Sequence, residues 1–144
     1  METSLKLASV TDGYIDFLIR NGQSHVYSNK EGRRSHDRLY IGAILQLNQF
    51  EYFIPLSSPK EKDYIISDGG NKEIRPDNFL IMRMIDHSLQ SQELLGTIRF
   101  GNMIPVPPSC ILLYDVNQES DLSYKLLVRK ELIFIRNTVT SNFT

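Results

Sequence analysis

Leu39-Tyr40-Ile41-Gly42-Ala43-Ile44-Leu45-Gln46-Leu47, then Asn48-Gln49, then Phe50-Glu51-Tyr52-Phe53-Ile54-Pro55-Leu56 is the stretch whose reading decides the fold. Two runs dense in aliphatic and aromatic residues flank a two-residue polar break, the pattern of a β-hairpin with its turn at Asn48-Gln49. Both runs are more continuously apolar than a strand with one wet face, so they are expected to be central strands covered in part on both faces. Gly42, inside such a run, marks a bulge or a close approach of neighbouring chain.

Upstream, Thr11-Asp12-Gly13 offers capping groups before Tyr14, Ile15, Phe17, Leu18 and Ile19, whose spacing predicts a helix near Gly13 to Arg20, stopped by Asn21-Gly22. Gln23 to Asp37 is polar and basic without a sustained period and reads as a long exposed loop, a length uncommon unless functional or mobile. Downstream, Ser57 to Asn78 carries Pro59, Lys60, Lys62, Asp68-Gly69-Gly70 and Pro76, which break regular structure and predict a second loop with a turn at the two glycines. Phe79-Leu80-Ile81-Met82 and Leu95 to Phe100 are expected as strands, with a helical turn between Asp86 and Glu93. Met103 to Pro108 cannot be a central strand throughout, because proline has no amide hydrogen to donate, whereas Ile111 to Tyr114 can be one. Asp121 is placed to cap a final helix to about Asn137. On that helix Lys125, Arg129 and Arg136 project within roughly 40° of one another and form a basic stripe. Tyr124, Val128, Leu132 and Ile135 form an apolar stripe beside it. Strands followed by a closing helix predict an α+β fold, and 144 residues suit a single domain spanning residues 1–144.

With 41% hydrophobic and 23% charged residues and no biased tract, the composition is that of a globular domain. A lone cysteine, Cys110, allows no intramolecular disulfide. No window approaches the roughly 20 apolar residues of a membrane span, and the first thirty residues hold no signal-peptide pattern. A cytoplasmic location without membrane insertion is the expectation.

Net charge is −1, yet it is unevenly distributed. Arg20 to Arg38 carries net +3 and Leu122 to Thr144 net +3, while Asp63 to Asp121 carries net −5. Such polarity gives a near-neutral chain a face able to attract a phosphate backbone, or simply a solvated surface. His25, His36 and His87 lack metal-ligand spacing, so no metal site is expected. There is no phosphate-cradling glycine loop, dinucleotide fingerprint or serine elbow, so no cofactor is expected, and no carboxylate pair recommends a glycosidase.

Where the hairpin ends, Pro55-Leu56-Ser57-Ser58-Pro59-Lys60 sets two hydroxyls and an ammonium at the mouth of a loop. Taken alone, the segment has two readings. It is either a proline turn whose serines bond local backbone, or a site in which a strand end holds polar groups rigidly and open to solvent.

Three blocks in order carry a resemblance. Tyr40-Ile41-Gly42-Ala43-Ile44-Leu45 followed by Tyr52-Phe53-Ile54-Pro55-Leu56-Ser57-Ser58-Pro59-Lys60 resembles the signature of the ToxN/AbiQ family, the endoribonuclease toxins of type III toxin-antitoxin systems. Gly101-Asn102-Met103-Ile104-Pro105-Val106-Pro107 is similar to that family's central block, and Tyr124-Lys125 through Arg136 to its closing helix. Gly13 to Leu18 is similar to its early aromatic helix.

The resemblance implies a strongly twisted antiparallel sheet with flanking helices, similar to the Kid/MazF-like toxin barrel. It also implies a repeat-derived small RNA antitoxin, folded as a pseudoknot, in a closed protein-RNA assembly. Activity would be metal-independent cleavage of substrate RNA by 2′-hydroxyl attack, leaving a 2′,3′-cyclic phosphate and a 5′-hydroxyl. Carried over by position, Ser58, Ser57 and Lys60 are the catalytic candidates, the serines bonding phosphate and ribose and the lysine stabilising the phosphorane. Arg38 stands at a basic position of the family and Tyr14 at its helix tyrosine, both as RNA contacts. Arg33, Arg34, His36, Lys62, Lys125, Arg129 and Arg136 complete the RNA-binding candidates. The family's loop tyrosine aligns near Arg34, and Tyr27 is the one tyrosine in this loop, which leaves the general base unassigned; His36 is either that base or an ordinary loop residue. A non-catalytic RNA-binding module and a protein-interaction domain remain as alternative readings.

Overall fold

The computed structural model describes residues 6–29, 36–47, 50–88 and 92–142. Its elements are β1 (Lys6–Val10), α1 (Asp12–Arg20), β2 (Tyr40–Leu47), β3 (Phe50–Ser57), β4 (Tyr64–Ile66), β5 (Lys72–Ile74), β6 (Ile81–Asp86), β7 (Glu93–Arg99), β8 (Ile104–Val106), β9 (Ile111–Leu113) and α2 (Leu122–Asn142). A seven-stranded antiparallel sheet runs β6-β7-β3-β2-β1-β9, with β8 also on β3, and β4-β5 forms a separate hairpin. The sheet is open, its path ending at β6 and β9, so the expected α+β antiparallel architecture is present without closure into a barrel.

The predicted hairpin is the centre of this sheet. Leu47 pairs with Phe50, Ile41 with Ile54 and Tyr40 with Pro55, while residues 48–49, where the turn was expected, lie outside the described residues. Register slips between Gly42 and Gln46, and a Cβ on Gly42 would meet the Phe53 ring at 3.1 Å and Lys6 Cβ at 3.3 Å. The glycine thus marks both a bulge and a close approach.

Pro55 explains how β3 serves three partners. The Leu56 amide donates toward β2, to the Leu39 carbonyl at 2.9 Å. Alternation along a strand therefore turns the Pro55 nitrogen to the other edge, where it has no hydrogen to give. On that edge β8 pairs with Glu51 to Phe53 and β7 takes over at Leu56 and Ser57. The proline sits in the gap between them.

Alternate residues feed two cores. Leu39, Ile41, Ile54 and Leu56 join Met84, Leu95 and Ile98 beneath Val128 and Ile135 of α2. Tyr40 and Phe53 join Ala8, Val10, Ile104 and Val106 beneath Ile15 of α1. Each fully buried aliphatic side chain contributes about 1.5–3 kcal/mol. Asp121 caps α2 as expected, its Oδ1 accepting the Tyr124 amide at 3.2 Å.

Several local expectations are corrected. The segment after the hairpin is not loop throughout: β4 and β5 pair from Tyr64–Ile74 to Ile66–Lys72, closed by the Ser67–Gly70 turn with Gly70 at φ 80°. The strand expected at Phe79–Met82 begins at Ile81 and runs to Asp86, because Asn78 Oδ1 takes the Leu80 and Ile81 amides and holds the chain out of the sheet. The helical turn expected between Asp86, where β6 ends, and Glu93, where β7 starts, falls on residues 89–91, which lie outside the described residues. The last helix continues past Asn137 to Asn142. Strand β1 was not anticipated.

Candidate active site

Ser57 is the last residue of β3, paired with Thr97 of β7, and is buried with its hydroxyl 3.4 Å from the Ser58 carbonyl. Ser58, Pro59 and Lys60 then emerge into solvent. Their exit is rigidly held by Asp63. That carboxylate is fully buried, and its Oδ2 accepts the Lys60 amide at 2.9 Å while the Asp63 amide donates to the Lys60 carbonyl at 2.9 Å. Oδ1 accepts Arg83 at 3.1 Å and Arg99 at 3.5 Å. Arg99 also donates to the Thr97 hydroxyl at 3.0 Å, and Arg83 to the Pro76 carbonyl at 2.7 Å. One carboxylate between two guanidiniums leaves a net positive charge beneath the Ser-Pro-Lys turn, in a setting where water screens it poorly.

A second wall comes from the loop before β2. Asn29, buried, donates to the Val10 carbonyl at 2.9 Å and to Asp12 at 2.8 Å, tying the loop to β1 and α1. Arg38 is buried, donates to the Leu56 carbonyl at 2.9 Å, and lies 4.4 Å over the Tyr27 ring. The Lys60 ammonium is 5.7 Å from the same ring. Both cations therefore lie within cation-π range of the one Tyr27 ring.

His36 forms a third part. Its ring stacks on Tyr124 at 3.8 Å and 4°, its Nε2 lies 3.0 Å from Asp121 Oδ2, and its Nδ1 lies 4.0 Å from Glu119 Oε1. Two carboxylates do converge, then, at a histidine. The His36 hydrogen bond, first, holds the Asp121 carboxyl below its usual range, and the Asp121 amide, first, does the same for Glu119. Tyr124 continues inward to a cavity of about 40 Å³ that it lines with Leu39, Leu56, Ser57, Ser58, Leu95, Leu127 and Glu131.

Residues 6–142 match the family described as toxin ToxN, type III toxin-antitoxin system. The chain belongs to the ToxN family. Among its relatives, it is 26% identical to the endoribonuclease ToxN of Bacillus thuringiensis subsp. kurstaki over 136 residues, 93% of this chain and 61% of that protein. It is 30% identical to the endoribonuclease AbiQ of Lactococcus lactis subsp. lactis over 141 residues, 95% of this chain and 69% of that protein. The chain thus spans about three-fifths of the Bacillus relative's length. Its fold superposes on a solved structure from work on type III toxin inhibition by a non-coding RNA pseudoknot, with TM-score 0.75, 25% identity, and coverage of 96% of this chain and 73% of that one. It superposes on the lactococcal anti-phage endoribonuclease AbiQ with TM-score 0.65, 27% identity, and coverage of 94% and 73%.

Within this ToxN-family fold the sequence candidates separate. Ser57, Ser58, Lys60 and Arg38 fall at one strand end, with Lys62 exposed in the following turn. His36 adjoins them through Tyr124. Tyr14 instead packs with the α1-side core and donates its hydroxyl to the Pro105 carbonyl at 2.6 Å. Lys125, Arg129 and Arg136 occupy a face of α2 roughly 150° from Tyr124, Leu127 and Glu131, which face the serines. Arg129 there bonds Asn117 at 3.2 Å. Arg33 and Arg34 lie outside the described residues. Sequence reading did not find Asp63, Arg83 and Arg99, whose meeting depends on strands far apart in the chain, nor Tyr27 as a wall of the site, nor Glu131. Among the described residues no group of three histidine, cysteine, aspartate or glutamate side chains is placed to hold a metal, and no helix is long and apolar enough to cross a membrane.

Proposed function

We propose that this chain is an endoribonuclease toxin that cleaves RNA at the Ser57-Ser58-Pro59-Lys60 turn and is restrained by a repeat-derived pseudoknot RNA in a closed protein-RNA assembly in the cytoplasm. The observation that carries the reading is the convergence of both serines, Lys60 and Arg38 at the end of β3, above a buried, net-positive Asp63-Arg83-Arg99 cluster. Its support from kinship is family membership and relatives named endoribonucleases.

RNA carries its own nucleophile. The 2′-oxygen forms a bond to the adjacent phosphorus as the bond from phosphorus to the 5′-oxygen breaks, giving a 2′,3′-cyclic phosphate and a 5′-hydroxyl. The 2′ proton passes to a base and the departing 5′-oxygen takes up a proton. The protein supplies alignment and donors where negative charge grows on the phosphorane. In this reading Ser58 and Ser57 bond phosphate and ribose, Lys60 neutralises the phosphorane, and Arg38 with Tyr27 forms the wall against which the backbone rests.

The test is to incubate purified protein with RNA and map the ends produced. Ser58→Ala or Lys60→Ala is expected to abolish cleavage and growth arrest while antitoxin RNA binding is kept; full toxicity in both variants refutes the site. Cleavage is also expected to persist in excess chelator, and activity restored specifically by a divalent ion would refute metal independence.

A further inference from the structure

Glu131 is a carboxyl group that neither packing nor the reading above uses. It lies on the α2 face against the sheet, 8% exposed, and shares its cavity with Leu39, Leu56, Leu95 and Leu127 on the apolar side and Ser57 and Ser58 on the other. A leucine would suit four leucine neighbours better, since a buried carboxyl without a partner costs stability. No hydrogen bond or ion pair from the described residues reaches it. The sheet nevertheless makes room for it. A Cβ on Gly96 would fall 3.0 Å from Glu131 Oε2 and 2.7 Å from the Ser57 carbonyl oxygen, so the missing side chain at Gly96 lets carboxyl and serine backbone converge over β7.

We infer that Glu131 is a positioning residue of the cleavage site, a carboxylic acid that donates a hydrogen bond, directly or through one water, to the Ser57-Ser58 step and so fixes how the serines meet the phosphate. The inference rests on the reading of this turn as the cleavage site. The cavity of about 40 Å³ has room for a water, and the serines that share it with Glu131 are the groups through which it can act. Burial alone raises its carboxyl to about 8, so at neutral pH it holds the proton it donates. Among the described residues that line the cavity, Glu131 apart, none is charged. β3 presents Leu56 and Ser57, the turn Ser58, β7 Leu95 and Gly96, β6 Met84 and the segment before β2 Leu39, and Tyr124 on α2 is the other ionisable group lining the cavity. Ionised, Glu131 would face the Ser57 carbonyl as a second acceptor and lose the contact.

The experiment is the pH-rate profile for loss of full-length total bacterial RNA, measured from pH 6 to 9.5 for the wild-type chain, Glu131→Gln and Glu131→Leu, with circular dichroism at each pH. Glutamine keeps a neutral donor. The expected result is a wild-type rate that falls about tenfold per pH unit above pH 8, a glutamine variant within about threefold of wild type at pH 7 whose rate does not fall there, and a folded leucine variant slowed at least about tenfold throughout. An alkaline fall unchanged in Glu131→Gln, or wild-type rates in Glu131→Leu, overturns the inference and leaves the cleavage site standing. A wild-type chain that cleaves no RNA removes the site reading itself, and the inference with it.

Discussion

Two regions carry clustered positive charge, and they differ in everything but sign. Around the Ser-Pro-Lys turn, Arg38, Arg83 and Arg99 are buried, each with named acceptors, and Lys60 rises from a backbone clamped by Asp63. On α2, Arg129 and Arg136 stand in solvent with Lys125 half-buried beside them. Burial makes the first cluster costly to build and geometrically fixed, while exposure leaves the second cheap and screened by salt. The first is therefore suited to a reaction that needs groups placed to within about half an ångström, and the second to holding RNA of any sequence.

The sharpest way to break this contrast is Lys60→Ala, expected to lower the cleavage rate at least about a hundredfold, with thermal unfolding changed little because the ammonium is exposed. Next is stability. Asp63→Ala leaves Arg83 and Arg99 buried without their counter-charge and is expected to cost about 3–5 kcal/mol in denaturant unfolding. An unchanged unfolding midpoint would mean that the cluster is not what anchors the turn.

A comparable effect is read from pH. The native state holds a proton on Glu131 that the unfolded chain releases, because the carboxyl sits at about 8 rather than 4.5. Stability contributed by this group is thus intact below the lower value and declines as pH rises between the two, by roughly 5 kcal/mol at most. The difference between wild type and Glu131→Gln across that window isolates the effect from other carboxylates, and a flat difference would contradict it.

The smallest effects belong to α2. Arg129→Ala with Arg136→Ala is expected to weaken RNA binding across sequences and reduce the salt dependence by up to about one counterion per arginine. Stability should move by no more than about 0.5 kcal/mol per site, and the cleavage rate at saturating RNA should hold. A fall in that rate would place the stripe in the reaction and dissolve the contrast.

Much of this was legible locally. The 39–56 hairpin, α1 and α2 announce themselves because their residues satisfy one another over a few positions, and Gly42 and Asp121 because a missing side chain and a cap are local devices. Strand β1 escaped because five residues reveal little until β2 and β9 pair with them. The β4-β5 hairpin escaped for a different reason: Ile65 and Ile66 remain 42% and 57% exposed, so no buried face imprints an alternation. Tyr27 and His36 looked like residues of one polar loop, yet one faces Arg38 and Lys60 and the other stacks on α2.

By itself, then, the sequence determined the central hairpin, the helices, the family and the turn on which the chemistry is read, because periodicity, caps and contiguous motifs are written in neighbouring residues. Only the tertiary structure decided that Asp63 anchors that turn through Arg83 and Arg99, that Pro55 hands β3 from β8 to β7, and that Glu131 lies behind the serines. Those facts depend on strands and a helix that meet across dozens of residues, and burial, the property that makes a carboxylate or a guanidinium consequential, exists only once they have met.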